Sequence, residues 1–430
     1  MRVLFFGVMI MFLMISCDPP VQAPTFGDET TKEDILGSKE ASPNAITIDI
    51  YLDATTSMKG FARVPGSSYG KFLDELESAL HTSWEKAEIK FFKFGTKIRS
   101  ITRDEYKSAE NNEAFYKEKG ILEQTNIDQV IDQTAQDRIS MVITDLFQTD
   151  GDVLKVVDKL KERCFGKDID LAILGIKSDY DGIIFDTKVP PFPLNTQGNP
   201  ELQKAFYAIV FGNGPNIEHL FKTLKGTALK EYVKEDQFTI ISSTAAVRDF
   251  DAEIIKSKTA KNDRSFRIKK KDKTKGSPIT YDISIDDDKG LKPLTFSLKL
   301  DKGYYPPIGD MEVRVEKIMT VKGKASESQP TEDLKVKTVT REGETILVEV
   351  ELQYPPKVDA VSYSVKFNLS KLNAFVTPDW IKGFSSDNPT PTNEPNKTLN
   401  LERFVRDLLR ATASVNDYKV AKAYLHITTK

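Results

Sequence analysis

Two cysteines and three histidines are all that 430 residues offer of the soft and imidazole ligands. His81, His219 and His426 stand far apart, with no second histidine or cysteine at a metal-ligand spacing, so a zinc site or histidine-centred catalysis has little to build on. Cys17 falls in the targeting segment read below, which leaves Cys164 alone and excludes a disulfide framework in the mature chain. An excess of one charge is also missing. Lys plus Arg is 61 against 64 for Asp plus Glu, a formal charge of −3, too balanced for phosphate contacts to dominate binding, and no nucleic-acid partner is expected. Internal repeats and long low-complexity tracts are absent as well. What is present is enough apolar sequence, 39% of the chain, to build real cores, over a length that exceeds what one core organises. Two or three folded domains are expected.

The chain opens Met-Arg, runs apolar from Val3 to Ile15, and reaches Ser16-Cys17 before Asp18-Pro19-Pro20. The run is shorter than the roughly 20 apolar residues of a spanning helix, and its basic start and small terminal residue fit an export signal; a plain membrane anchor is the alternative. Leu13-Met14-Ile15-Ser16-Cys17 resembles the bacterial lipobox, with Met14 as a departure from the usual leucine. The resemblance implies cleavage after a signal peptide at residues 1–16, lipidation of Cys17, and an envelope protein hanging from the membrane by acyl chains. Residues 17–44, rich in Pro, Thr, Glu, Lys and Ser, then read as a flexible tether.

From Ala45 the pattern alternates short apolar runs with helical periods. Ile46–Leu52, Ile89–Phe94, Ile139–Thr144, Ile169–Ile176 and Ala205–Phe211 read as buried strands, with Lys97–Ile101 as a short antiparallel return. Tyr69–Leu80, Ile127–Ala135, Val153–Leu160 and Asn216–Leu224 have helical spacing. Such alternation predicts an α/β, doubly wound sheet of parallel strands with helices on both faces, over residues 45–248. Residues 249–387 switch to a period of two, in runs such as Leu294–Leu300, Met311–Ile318 and Val361–Phe367, which predicts an all-β, sandwich-like domain. Residues 388–430 read as a linker, a helix over Leu399–Leu409 and a closing strand over Ala421–Thr428. The basic run Arg267–Lys275 reads as a solvated loop ahead of a site for anionic lipid, and Asp286-Asp287-Asp288 as a hairpin turn ahead of a calcium site.

In open α/β sheets ligands bind beyond the carboxyl ends of the strands. There the sequence places Asp53-Ala54-Thr55-Thr56-Ser57, then Thr125-Asn126, then Thr144-Asp145. Two carboxylates and several hydroxyls on one sheet edge suit a hard divalent cation. These three loops resemble the metal-ion-dependent adhesion site of von Willebrand factor A domains, whose first loop reads Asp-x-Ser-x-Ser and whose second and third loops give a Thr and an Asp. Carried over by position, the metal site would comprise Asp53, Thr55, Ser57, Thr125 and Asp145, with Mg²⁺ as the expected ion and Mn²⁺ or Ca²⁺ as alternatives. Thr55 replaces a serine and keeps the hydroxyl; Leu146 stands where the family commonly has glycine, which would reshape the third loop. The resemblance implies a non-enzymatic role, with an acidic side chain of a protein partner filling the open coordination position. Two other readings stand beside it: a structural envelope protein with a vestigial site, and a metal-dependent phosphohydrolase. The last is opposed by Thr55, which occupies the position where haloacid-dehalogenase-like phosphatases keep a general-acid Asp.

Overall fold

The structure is a computed structural model that describes Phe26 and residues 45–146, 150–185, 190–247, 249–255, 266–270, 279–285, 294–301, 303–321, 324–342, 345–352, 360–387 and 394–429. Cys17, the signal segment, the bulk of the tether and Asp286–Asp288 lie outside the described residues.

The first unit is a mixed seven-stranded sheet carrying helices. Its elements are β1 (Ala45–Asp53), α1 (Ser68–Ser83), β2 (Lys86–Phe94), β3 (Ile98–Ile101), α2 (Ile127–Ile131), β4 (Arg138–Thr144), α3 (Asp150–Arg163), β5 (Asp170–Ser178), β6 (Lys204–Gly212), α4 (Gly214–Leu224) and β7 (Phe238–Ile241). The strand order is β3-β2-β1-β4-β6-β5-β7. β1 pairs parallel with both β2 and β4, while β3 returns antiparallel on β2 as expected. Not every strand is parallel. β6 inserts between β4 and β5 and runs antiparallel to both, and β7 closes the edge antiparallel to β5. The reason lies in the connection: β5 is followed by a small hairpin, Asp181–Ile184 with Phe192–Asn195, in place of the crossover helix that a parallel neighbour requires.

Strand alternation divides the apolar residues between the two faces of this sheet. Ile48, Ile50, Ile143, Leu174 and Phe206 pack with Phe72, Leu76, Ile217 and Leu220 of α1 and α4. Tyr51, Val142, Ile173 and Ile209 pack on the other face with Val130 of α2, Val153 of α3 and Phe404, Val405 and Leu408 of α5 (Leu401–Val415). The C-terminal helix therefore covers the first unit's sheet.

The second unit is built of strands. β8 (Asp249–Ile255), β11 (Leu294–Asp301), β14 (Thr345–Leu352) and β13 (Leu334–Glu342) form one antiparallel sheet in that order. β9 (Phe266–Lys270), β10 (Ile279–Ile285), β16 (Lys419–Thr429), β15 (Ala360–Leu369) and β12 (Met311–Val321) follow one another in the other. Phe296, Leu298 and Val348 of the first sheet share one apolar cluster with Ile283, Tyr363, Val365 and Leu425 of the second. The final strand β16 sits inside its sheet, parallel to β10 and antiparallel to β15. Arg267–Lys270, expected in a solvated loop, belongs to the edge strand β9; charged side chains on such an edge oppose pairing with other chains.

Candidate metal site at the carboxyl edge of the first sheet

β1 ends at Asp53, and the chain turns at once. The Thr55 amide donates to Asp53 Oδ1 at 3.0 Å and the Thr55 hydroxyl donates to the same oxygen at 2.6 Å. This turn closed by an aspartate suits a residue two positions on that is extended, and Thr55 at φ −76°, ψ 164° then leads into the 3₁₀ turn Thr56–Met58. Ser57 Oγ comes to 3.3 Å from Thr55 Oγ1.

The second loop is set by Gly95. A Cβ there would stand 2.0 Å from the Ile121 carbonyl oxygen, so only glycine lets the two backbones cross. The Thr96 amide then donates to Ile121 O, and the Asn126 amide to Gly95 O at 3.1 Å. Thr125 is thereby carried to the first loop, with its hydroxyl 3.3 Å from both Asp53 Oδ2 and Thr55 Oγ1.

The third loop leaves β4, whose register sets Ile143 beside Leu52 and so carries Asp145 past the end of β1. Asp145 is buried. Thr144, which the sequence comparison did not single out, donates its hydroxyl to Asp53 Oδ2 at 2.7 Å and accepts from the Leu146 amide at 3.2 Å. Leu146 has φ +52°, the left-handed conformation that glycine adopts freely. The departure from glycine keeps that backbone shape, at about 1–2 kcal/mol of local strain, while the Leu146 side chain is buried in the cluster beneath.

Electrostatics fit a cation. Asp53 is fully buried, and its carboxyl is pushed up to about 7 by burial first and by the charge of Asp145 second, against the hydroxyls of Thr55 and Thr144 and the Thr55 amide, which pull it down. Lys204, at the start of β6, is a third ionisable group here. It is buried with its ammonium 5.9 Å from the Tyr180 ring centroid, and burial lowers its pKa while Asp145 acts the other way. No group of three or more His, Cys, Asp and Glu side chains stands at metal-holding distance among the described residues, so any ion here must be held by two carboxylates and hydroxyls. Octahedral ligands of Mg²⁺ at about 2.1 Å lie about 3.0 Å from one another. The contacts among Asp53, Thr55, Ser57 and Thr125 oxygens, from 2.6 to 3.3 Å, span that value. The donor set fits a hard divalent cation.

The cluster opens outward. Thr55, Ser57 and Thr125 line a cavity of about 660 Å³ together with Glu123, Lys155 and Phe185, among others. All five residues expected from the sequence thus lie at one sheet edge, three of them on a cleft wide enough for a side chain of another molecule. Sequence reading missed Thr144, Lys204 and Tyr180; only Thr144, adjacent to Asp145, carried a signal.

Cys164 is buried and free, and burial pushes its thiol up to about 11, which fits an inert core residue. No helix among the described residues is long and apolar enough to cross a membrane. Comparisons with protein-family models, curated proteins and solved structures give no match for this chain.

Proposed function

We propose that this chain is a lipid-anchored envelope protein whose first unit, residues 45–248, is a doubly wound, von Willebrand factor A-like domain that binds a protein partner through a divalent cation. Residues 249–387 are then the sandwich-like domain and residues 388–430 the tail that joins both units. The reading rests on one observation above all: oxygens from two separate loops, Thr55 and Ser57 from one and Thr125 from the other, come together on the wall of the 660 Å³ cleft, with Thr55 and Thr125 bonded to the buried Asp53 and Ser57 next to Thr55. The inserted antiparallel β6 departs from an all-parallel sheet but lies on the far side of β4 from β1 and Asp53.

Asp53, Thr55, Ser57, Thr125 and Asp145 would hold the ion, Mg²⁺ in the first instance, and Thr144 and Tyr180 would orient the loops. When bound, the cation would supply Lewis acidity toward an incoming carboxylate, since the hydroxyl donors are neutral and add no negative charge to that of Asp53 and Asp145. The chain's own residues do the rest: Asp53 holds the Thr55 and Thr125 hydroxyls in place, and Thr55 in turn meets Ser57. A phosphohydrolase is disfavoured. The full burial of Asp53, the engagement of its Oδ1 by Thr55 and the lack of a general acid at Thr55 support binding over phosphoryl chemistry.

Affinity capture with the mature protein, with and without chelator, tests the reading. Chelator should abolish capture of a partner whose own Asp or Glu is required. Capture that proceeds equally in chelator leaves a structural role with a vestigial site, and phosphate-ester turnover that vanishes in Asp53→Asn would reinstate the enzyme.

A further inference from the structure

The outward face of the second unit's larger sheet is polar for most of its extent, yet one spot on it is not. In β12, β15 and β16 alternate residues turn away from the shared core: Glu316 and Ile318, Ser362 and Ser364, Tyr424 and His426. Cross-strand pairing sets Ile318 beside Ser362 and Ser364 beside Tyr424, so two small serines form a floor between an isoleucine and a tyrosine. Phe26 occupies this spot. Its ring stacks on Tyr424 with centroids 5.5 Å apart and planes at 27°, and Phe26, Ile318 and Tyr424 form a separate apolar cluster, each less than a tenth exposed. Ser364 Oγ, itself buried beside Tyr424, has no hydrogen-bond partner among the described residues, which suits an apolar surrounding. Lys422 flanks the seat with its ammonium 4.8 Å from the Tyr424 ring.

Phe26 is also the only aromatic residue between Cys17 and Ala45. A segment meant only as a leash needs none, and burying this ring contributes more than any other side chain there can. We propose that the serine-floored groove between Ile318 and Tyr424 is a docking site for Phe26 of the chain's own N-terminal segment, which makes that segment a fixed strap at this point. A consequence follows that rests on lipidation of Cys17. Phe26 is the ninth residue after Cys17, and at full extension such a stretch spans about 30 Å. The Tyr424 face of the second unit would then be held within that reach of the bilayer.

Chymotrypsin cleavage after Phe26 reads the docking directly, in full-length Cys17→Ser protein that needs no lipid and no metal. In the folded protein the Phe26–Gly27 bond should be protected, and Tyr424→Ala should speed its cleavage by about tenfold or more, because local release then loses the ring contact. Ile318→Ala, which removes the opposite wall and leaves the stacked pair intact, should act in the same direction more weakly, with circular dichroism showing both variants folded. Cleavage after Phe26 that is equally fast in the parent and in Ile318→Ala and Tyr424→Ala overturns the docking site. Membrane release or chelator sensitivity bears on the anchor and the metal site alone, so the two readings fail separately.

Discussion

Gly60 passes beneath the Tyr180 ring so closely that a Cβ on it would stand 2.3 Å from the ring carbon Cζ. The contact lets the Tyr180 hydroxyl share its proton between the Ser57 carbonyl at 3.0 Å and the Ile183 carbonyl at 2.9 Å, clamping the hairpin after β5 onto the first loop of the candidate site. The loop is thus held from outside as well as by its own turn.

Gly60→Ala should push the ring off the loop and destabilise the fold by about 1–3 kcal/mol, as over-packing does. Tyr180→Phe keeps the ring and should cost about 1–2 kcal/mol for the lost hydroxyl, with weaker cation binding. Urea unfolding of both, with and without Mg²⁺, checks the order: the cation-dependent increment should shrink in Tyr180→Phe.

Thr144→Val removes the hydroxyl that donates to Asp53 Oδ2 while keeping the shape of the side chain. Loss of that bond at a buried carboxylate should lower stability by about 1–3 kcal/mol. It should also raise the Asp53 titration midpoint further, since this hydroxyl is among the groups that pull it down. Carboxyl-edited NMR titration reads the midpoint.

The pH dependence has a definite sign. In the metal-free protein Asp53 titrates at about 7, above the ordinary carboxylate range, so the folded state holds its proton more tightly than the unfolded chain. Asp53 therefore makes metal-free stability fall as pH rises from about 4 to about 7. A cation requires the ionised form, so its affinity should rise through the same window and level off above about 7, with about one proton released per ion at pH 6. Calorimetry in buffers of different ionisation enthalpy counts that proton.

Cys17→Ser should abolish palmitate incorporation and release the protein from the membrane fraction. Label retained by the Cys17→Ser protein would place the anchor elsewhere.

Much of the site was legible because its residues follow strand ends, where the sequence marks each loop by a break in an apolar run. Asp53, Thr125 and Asp145 all sit at such breaks. Strand direction was not legible: β6 is buried along its whole length, and burial on both faces gives the same unbroken apolar run whether a strand is parallel or antiparallel. Leu146 is the reverse case, since its identity suggested a reshaped loop, whereas the backbone around it fixes the left-handed turn regardless. Lys204 gave no signal at all; nothing in a lysine opening a strand tells that the fold will bury it within reach of Asp145. Partner choice for the tail was equally hidden, because the apolar stripe of α5 and the alternation of β16 say that each is covered without saying by which unit.

Titration of Mg²⁺ into the purified chain by calorimetry, for the parent and for Asp53→Ala and Asp145→Ala, bears most directly on the metal site. One saturable site is expected in the parent and little or none in either variant, with circular dichroism confirming that both remain folded. Unchanged titrations in the two variants would contradict the site.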